Sequence, residues 1–164
     1  MKKLLVIGAS RGIGRAVVTC ALDRGYAVRA FSRSAALTGI AQAGLECLRG
    51  DARSSEDLRR ALPGTDAVVL SVGVPPNPGF IIGPVDLFSS VTRALLPAMQ
   101  EMGVRRLIAV TGFGAGESRA AIAPLQRLAF TLIFGRAYGD KDIQERLIMD
   151  SGLDWTLVRP GVLT

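Results

Sequence analysis

Apolar positions in this chain come in short blocks whose period switches repeatedly between strand-like and helix-like. "KLLVIG" (Lys3–Gly8) is a short, nearly continuous apolar run, as expected of a strand covered on both faces. From Gly12 to Arg24 the residues Ile13, Ala16, Val17, Cys20 and Ala21 recur at helical spacing on one face, and Gly25 ends the pattern. "AVRAF" (Ala27–Phe31) predicts the next strand, Ala35–Gln42 a short helix, and "LECLRG" (Leu45–Gly50) another strand. Ser54 or Ser55 can cap a helix that runs to Leu62 and stops at "PG". "DAVVLSVG" (Asp66–Gly73) is a strongly apolar strand. A proline-rich loop, a helix around Val85–Met102 and the strand "RRLIAVTG" (Arg105–Gly112) follow. A glycine-rich loop then leads to a helical region from Ala120 to Ser151, broken near Gly135–Gly139. "DWTLVRPG" (Asp154–Gly161) is the last strand. Strands alternating with helices imply an α/β fold with a parallel sheet covered on both faces. All 164 residues are expected to form one domain.

Composition narrows the classes. Hydrophobic residues make up 49% of the chain, enough for a compact core. Two cysteines, Cys20 and Cys47, are too few for a disulfide framework and are expected as buried, reduced thiols of a cytoplasmic protein. Histidine is absent, which removes imidazole bases and His-ligated zinc sites, and no metal site is expected. The net charge of +6 comes mostly from scattered arginines, without a basic run interleaved with aromatics. It reads as a solvated surface rather than a nucleic-acid footprint. After Lys2 and Lys3, the apolar stretch Leu4–Ala9 is too short for a signal peptide. The uncharged run Ala67–Val85 carries Pro75, Pro76, Pro78 and Pro84, so it cannot be one uninterrupted membrane helix. The expected partner is a small molecule, with no nucleic acid and no membrane, and the expected state is a monomer or a small homo-oligomer.

The most informative stretch is "VIGASRGIGR" (Val6–Arg15), where glycines sit between a strand and a helix. Gly8 permits a tight turn, Gly12 lets backbone approach a phosphate without a Cβ between them, and Gly14 lets the helix pack on the strand. The helix start adds unpaired N–H groups and the positive end of a dipole. Gly8, Ser10, Arg11, Gly12, Ile13 and Gly14 are therefore the expected cradle for a nucleotide pyrophosphate, with a plain structural turn as the alternative.

The G-x-x-x-G-x-G spacing resembles that of the short-chain dehydrogenase/reductase superfamily. "RGDAR" (Arg49–Arg53), with Asp51 and Ala52, resembles the acidic turn that meets the adenine in that family. "LSVG" (Leu70–Gly73), with Ser71, Val72 and Gly73, resembles the strand end passing the adenine ribose. "SGLDWTLVRPG" (Ser151–Gly161) is similar to a segment of the atypical NAD(P)H-binding branch, which includes flavin reductases and NmrA-like proteins, and is the most specific of these motifs. The resemblance implies a Rossmann-type, doubly wound parallel sheet in the order 3-2-1-4-5-6. In such relatives the chain continues past "RPGVLT" with a strand and helices on the substrate side, so the resemblance places the substrate-defining part outside these residues.

Cofactor choice is readable at the end of the second strand. An NAD site places an acid there to hold the ribose 2′-OH. Here the sequence is "AFSRS", with Arg33 between Ser32 and Ser34. Arg11, from the glycine turn, is expected to face the same spot. Guanidiniums and hydroxyls around one point suit a 2′-phosphate, which favours NADP(H) over NAD(H). Two unrelated surface arginines are the alternative.

The chemistry is less directly written. Most members of the superfamily carry Tyr-x-x-x-Lys on the helix after the fifth strand, where the lysine holds the nicotinamide ribose and the tyrosine protonates a carbonyl oxygen. Lys141 is the matching lysine, but Ala137 stands four positions earlier, and Tyr138 is turned away by about 100°. Lys141 either holds the ribose or is a surface lysine. Thr111, at the family's serine position, either touches the nicotinamide end or bonds backbone as a strand threonine. Glu145 is expected to support the helix or to make a weak surface pair with Lys141. Phe113 reads as a hydrophobic plug or a stacking partner, and the loops Val74–Pro84 and Gly112–Pro124 as walls of the substrate side. The expected function is an NADPH-dependent oxidoreductase passing hydride to a small planar acceptor of flavin or quinone type. A non-catalytic NADP(H) sensor of the NmrA-like kind is the alternative, and a nucleotide-sugar epimerase ranks third.

Overall fold

The structure, a computed structural model, describes residues 1–34, 42–73, 86–112 and 139–161. The expected helix at Ala35–Gln42, the proline-rich loop, Phe113, Ala137, Tyr138 and most of the 120–151 region lie outside them. The described elements run β1 (Lys3–Ile7), α1 (Gly12–Asp23), β2 (Ala27–Ser32), β3 (Leu45–Arg49), α2 (Ser55–Ala61), β4 (Ala67–Leu70), α3 (Leu87–Glu101), β5 (Arg106–Val110), a helix α4 described over 139–149, and β6 (Asp154–Val158). The sheet has six strands in the order β3-β2-β1-β4-β5-β6, as the family resemblance implies. Every pairing is parallel: Leu5 lies opposite Arg29 and Val68, and Ile108 opposite Val69 and Thr156.

Strand alternation sends side chains to two cores. Leu5, Ile7, Phe31, Val68, Leu70, Leu107 and Ala109 pack under α2, α3 and Ile148 of α4. Val6, Val28, Ala30 and Val69 pack under Val18, Ala21 and Leu22 of α1. Each such large apolar side chain contributes roughly 1.5–3 kcal/mol on burial. Central β4 is buried at every position, which is why it reads as a continuous apolar run. β6 lies at the edge, and Trp155 and Val158 remain exposed there.

The buried face of α1 differs from the face expected. Gly14, Val18, Ala21 and Leu22 point inward, while Ala16 and Cys20 are exposed. The cause is contact rather than hydropathy. A Cβ at Gly14 would stand 2.2 Å from the Gly8 carbonyl oxygen, so residue 14 is where the helix touches the strand end. Val18 and Leu22 follow at i+4 and i+8 on the same face. The expectation of buried thiols is thereby corrected: Cys20 sits on the outer side of α1, Cys47 on edge strand β3, and both are exposed and free.

Hydrogen bonds also settle the caps. The Ser54 hydroxyl accepts from the Asp57 backbone N–H at 3.2 Å, so Ser54 rather than Ser55 caps α2. α3 is capped from another element: the buried Asp140 carboxylate of α4 accepts from the Phe88 and Ser89 backbone N–H groups at 2.7 and 3.3 Å. This bond fastens α4 across the start of α3, where the helix dipole favours an anion.

Candidate functional site

The carboxyl ends of all six strands lie along one edge of the sheet. The Gly8 N–H donates to the Phe31 carbonyl at 3.0 Å, joining the turn after β1 to the end of β2. The Gly50 N–H donates to the Ser32 carbonyl at 3.1 Å, and the Ser71 N–H to the Ile7 carbonyl at 2.8 Å. The Thr111 N–H donates to the Val158 carbonyl at 2.9 Å. Gly8 to Gly14, Ser32 and Arg33, Asp51 and Ala52, Ser71 to Gly73, and Thr111 thus share one edge, where open α/β sheets bind ligands.

The part around β1 and β2 is open. Gly8 has φ +88°, and a Cβ there would stand 2.3 Å from the Ser71 carbonyl oxygen, so only glycine fits between β1 and β4. Gly12 also has a positive φ, +54°, but no atom of the described residues lies within 4 Å of a Cβ built on it. It faces free space at the first residue of α1, beside N–H groups that have no intrahelical partner. Arg11 is the N-cap residue, and its side chain makes no capping bond. Arg11, Arg33 and Ser34 are exposed, and among the described residues neither arginine has an ion-pair partner. The Ser32 hydroxyl donates to the Ser34 carbonyl at 2.5 Å, which curls the chain just beyond β2 around Arg33.

The acidic turn after β3 is ordered by its own bonds. The Asp51 N–H donates to the Asp57 carboxylate at 2.8 Å, and the Asp51 carboxylate accepts from the Arg53 N–H at 3.0 Å. Asp51 itself is exposed, and Ala52 packs partly against the core.

The part around β5, β6 and α4 is closed. Thr111, just past β5, is buried. Its hydroxyl donates to Glu145 Oε1 at 2.7 Å, and its carbonyl accepts from Lys141 Nζ at 2.5 Å. The Lys141 ammonium also stands 4.3 Å from the centre of the Phe88 ring, a cation–π contact. Burial pushes the Lys141 ammonium down to about 8 from its ordinary 10.5, against the pull of Glu145 and Asp140, which favour the charged form.

Glu145 departs most from expectation. Rather than a weak surface contact, it is 1% exposed and held by Arg159, whose Nε and Nη2 donate to its two oxygens at 3.0 and 2.8 Å. Two parallel N–H···O bonds to one carboxylate are the strong form of the guanidinium pair. Arg159 belongs to the "LVRPG" motif, whose pattern marked the segment without giving the arginine a partner. Asp140 and Gln144 were likewise unmarked. Both are buried, and Gln144 Nε2 donates to Thr92 Oγ1 at 3.1 Å. Their signal was available only as polar residues at core-facing helical spacing: 140, 141, 144, 145 and 148 lie along one face of α4.

This combination defines a class. A doubly wound parallel sheet, a glycine turn opening onto a helix start, and unpaired cations at the sheet's carboxyl edge belong to a dinucleotide-binding domain. The comparisons agree. The chain matches the NAD(P)H-binding family over residues 8–164, and it belongs to that family. It is 31% identical to an uncharacterized chloroplastic protein of Arabidopsis thaliana over 99% of this chain. It is 28% identical to the photosystem II assembly factor Ycf39 of Cyanophora paradoxa over 95% of this chain. The chain spans 59% and 44% of the lengths of these two relatives. Among solved structures, the anaerobilin reductase ChuY of Escherichia coli O157:H7 superposes with a TM-score of 0.76 at 26% identity, over 98% of this chain and 73% of its own. Among the described residues, no helix is long and apolar enough to cross a membrane.

Proposed function

We propose that the chain is the cofactor-binding part of an NADPH-dependent oxidoreductase that passes hydride to a small planar acceptor of flavin or quinone type. The open edge fits the cofactor. The space at Gly12 is a cradle that a side chain would fill, and Arg11 and Arg33 have no ion-pair partner among the described residues. Gly8, Ser10, Arg11, Gly12, Ile13 and Gly14 would hold the pyrophosphate. Arg11, Ser32 and Arg33 would hold the 2′-phosphate, a site where a carboxylate would repel it. Asp51 and Ala52 would border the adenine, Ser71, Val72 and Gly73 its ribose, and Lys141 and Thr111 the nicotinamide end. NADPH, when bound, supplies the hydride.

The acceptor class rests on one observation: the Thr111 hydroxyl, at the end of β5, is committed inside the protein. That hydroxyl donates to Glu145, and Lys141, with one N–H given to the Thr111 carbonyl, is left to hold the ribose rather than to protonate a substrate. Ala137 occupies the position where the commoner relatives place the tyrosine acid. Reducing a ketone leaves an alkoxide that needs a placed acid at once. A flavin or quinone spreads the incoming charge over a conjugated system and takes its proton later from water. The likeness to an anaerobilin reductase supports a reductase. Free, exposed Cys20 and Cys47 suit a reducing compartment such as the cytoplasm.

A second reading follows from the likeness to an assembly factor: an NADP(H)-responsive protein that acts through a protein partner rather than by turnover. NADPH oxidation by the full-length protein, followed optically with free flavin or a quinone and then with a ketone, separates the readings. Turnover with the planar acceptors, retained in Tyr138→Phe, is the expected result. Binding of NADPH without oxidation by any acceptor favours the second reading. Turnover of a ketone that Tyr138→Phe abolishes overturns the acceptor class.

A further inference from the structure

The Glu145–Arg159 pair is buried at the same edge as Lys141 and Thr111, and neither reading above uses it. Its placement is specific. Glu145 stands one turn after Lys141 on the same face of α4. Its carboxylate reaches the residue after β5 through the Thr111 hydroxyl and the residue after β6 through Arg159. One side chain therefore pins α4 to two neighbouring strand ends. Thr111 is held twice from the same helix, by its hydroxyl to Glu145 and by its carbonyl to Lys141.

We propose that the Glu145–Arg159 pair is a positioning device: it fixes where the Lys141 ammonium sits at the end of β5 and how much negative charge faces it. Among the described residues, the groups facing Lys141 come from three elements. Its own helix contributes the carboxylates of Asp140 and Glu145. From α3 comes the Phe88 ring, and from the end of β5 the Thr111 carbonyl. Each carboxylate already has a partner. Asp140 is shared with the first N–H groups of α3, and Glu145 with Arg159 and Thr111. Arg159 therefore decides how much of the Glu145 charge Lys141 feels. A full carboxylate aimed at Lys141 would hold it as a closed pair, whereas one neutralised from behind by a guanidinium leaves the ammonium available to a ligand.

As a statement about cofactor binding this inference rests on the reading that Lys141 holds the nicotinamide ribose. The test keeps the two apart. In the full-length protein, the midpoint of Lys141 is measured by competitive trace acylation with mass-spectrometric readout, from about pH 6 to about pH 11, bracketing the ordinary lysine value. NADPH affinity is measured alongside by calorimetry. Glu145→Gln keeps the shape and removes the charge, and it is expected to lower the Lys141 midpoint by about one unit, the low end of what a nearby opposite charge exerts. Arg159→Gln frees the Glu145 carboxylate to face the lysine and is expected to raise the midpoint. Opposite signs are the mark of positioning, since a purely structural pair would lower the melting temperature of both variants and leave the lysine unmoved. Thermal melts read the fold of each, and either variant alone decides a sign. An unmoved midpoint in a folded variant overturns the proposal. If the midpoints move as expected while Lys141→Ala binds NADPH unchanged, the positioning stands and the ribose-binding reading fails.

Discussion

The ends of β2 and β5 lie on one edge of one sheet and treat their charges in opposite ways. Around β2, Arg11 and Arg33 are exposed and unpaired among the described residues, Gly12 faces free space, and the helix start keeps open N–H groups. Around β5, Glu145 and Asp140 are buried, and each is bonded to donors from other elements. A surface guanidinium costs little to leave unpaired, whereas a buried carboxylate without partners is prohibitive. The open half can thus wait for an anion from outside, while the closed half must satisfy itself from within. On the proposed reading, the open side would receive the charged end of the cofactor and the closed side would hold the shape of the edge.

The largest expected effect breaks the closed half. Glu145→Ala removes the partner of Arg159 and of the Thr111 hydroxyl and should lower stability by about 3 kcal/mol, the low end for a broken buried pair because Arg159 keeps some access to water. Urea unfolding checks it, and a loss no larger than that of a surface glutamate would mean the pair is not holding the strand ends.

Next comes the contrast within the glycine turn. Gly14→Ala forces a Cβ against the Gly8 carbonyl and should cost about 2–3 kcal/mol, as overpacking against backbone does. At Gly12 a Cβ meets no atom of the described residues, so Gly12→Val should leave the sheet intact apart from the strain of a positive φ, yet abolish NADPH binding. Circular dichroism with a binding titration separates the two. If Gly12→Val binds normally, the turn is not the phosphate cradle.

Arg33→Ala sharpens the open half. It should weaken NADPH binding by roughly 1.5–3 kcal/mol, the range of charge-assisted hydrogen bonds, and leave NADH nearly unchanged. Equal losses for both cofactors in calorimetry would remove the 2′-phosphate assignment.

The smallest effect has the less usual sign. The folded protein releases the Lys141 proton near 8, and the unfolded chain near 10.5. Between these values the unfolded state binds more protons, so stability from this group rises with pH across that window; the relief is complete above it and lost as pH falls through about 8. Lys141→Met should therefore gain about 1–2 kcal/mol at neutral pH, after the lost contacts are allowed for, and should lack the alkaline rise. Unfolding curves at neutral and alkaline pH for both proteins measure it. A destabilised Met variant would mean that the contacts to Thr111 and Phe88 outweigh the burial of the charge.

Local signals carried much of this. Period-two and continuous apolar runs made all six strands legible, with their ends within a few residues. Glycines after β1 announced the turn, and Arg33 was legible as a cation at the end of β2, since a single charged residue shows directly in the sequence. The face of α1 and the partners of Glu145 were not legible. Hydropathy assigned Cys20 inward, because a small apolar residue at helical spacing looks buried whatever it meets. Gly14 decided otherwise, through a steric contact with a carbonyl that hydropathy does not encode.

By itself, then, the order of residues determined the alternation of strands and helices, the glycine turn, and the kinds of charge placed near it. Which carboxylate is buried, which guanidinium is left open, and which of two neighbouring helix faces turns inward were decided only when the strand ends met. The physical reason is range. Periodicity and turn chemistry act between residues a few positions apart, whereas the bonds from Glu145 to Thr111 and Arg159 and from Asp140 to Phe88 join residues 34, 14 and 52 positions apart. Only the packed sheet brings those groups within hydrogen-bonding distance.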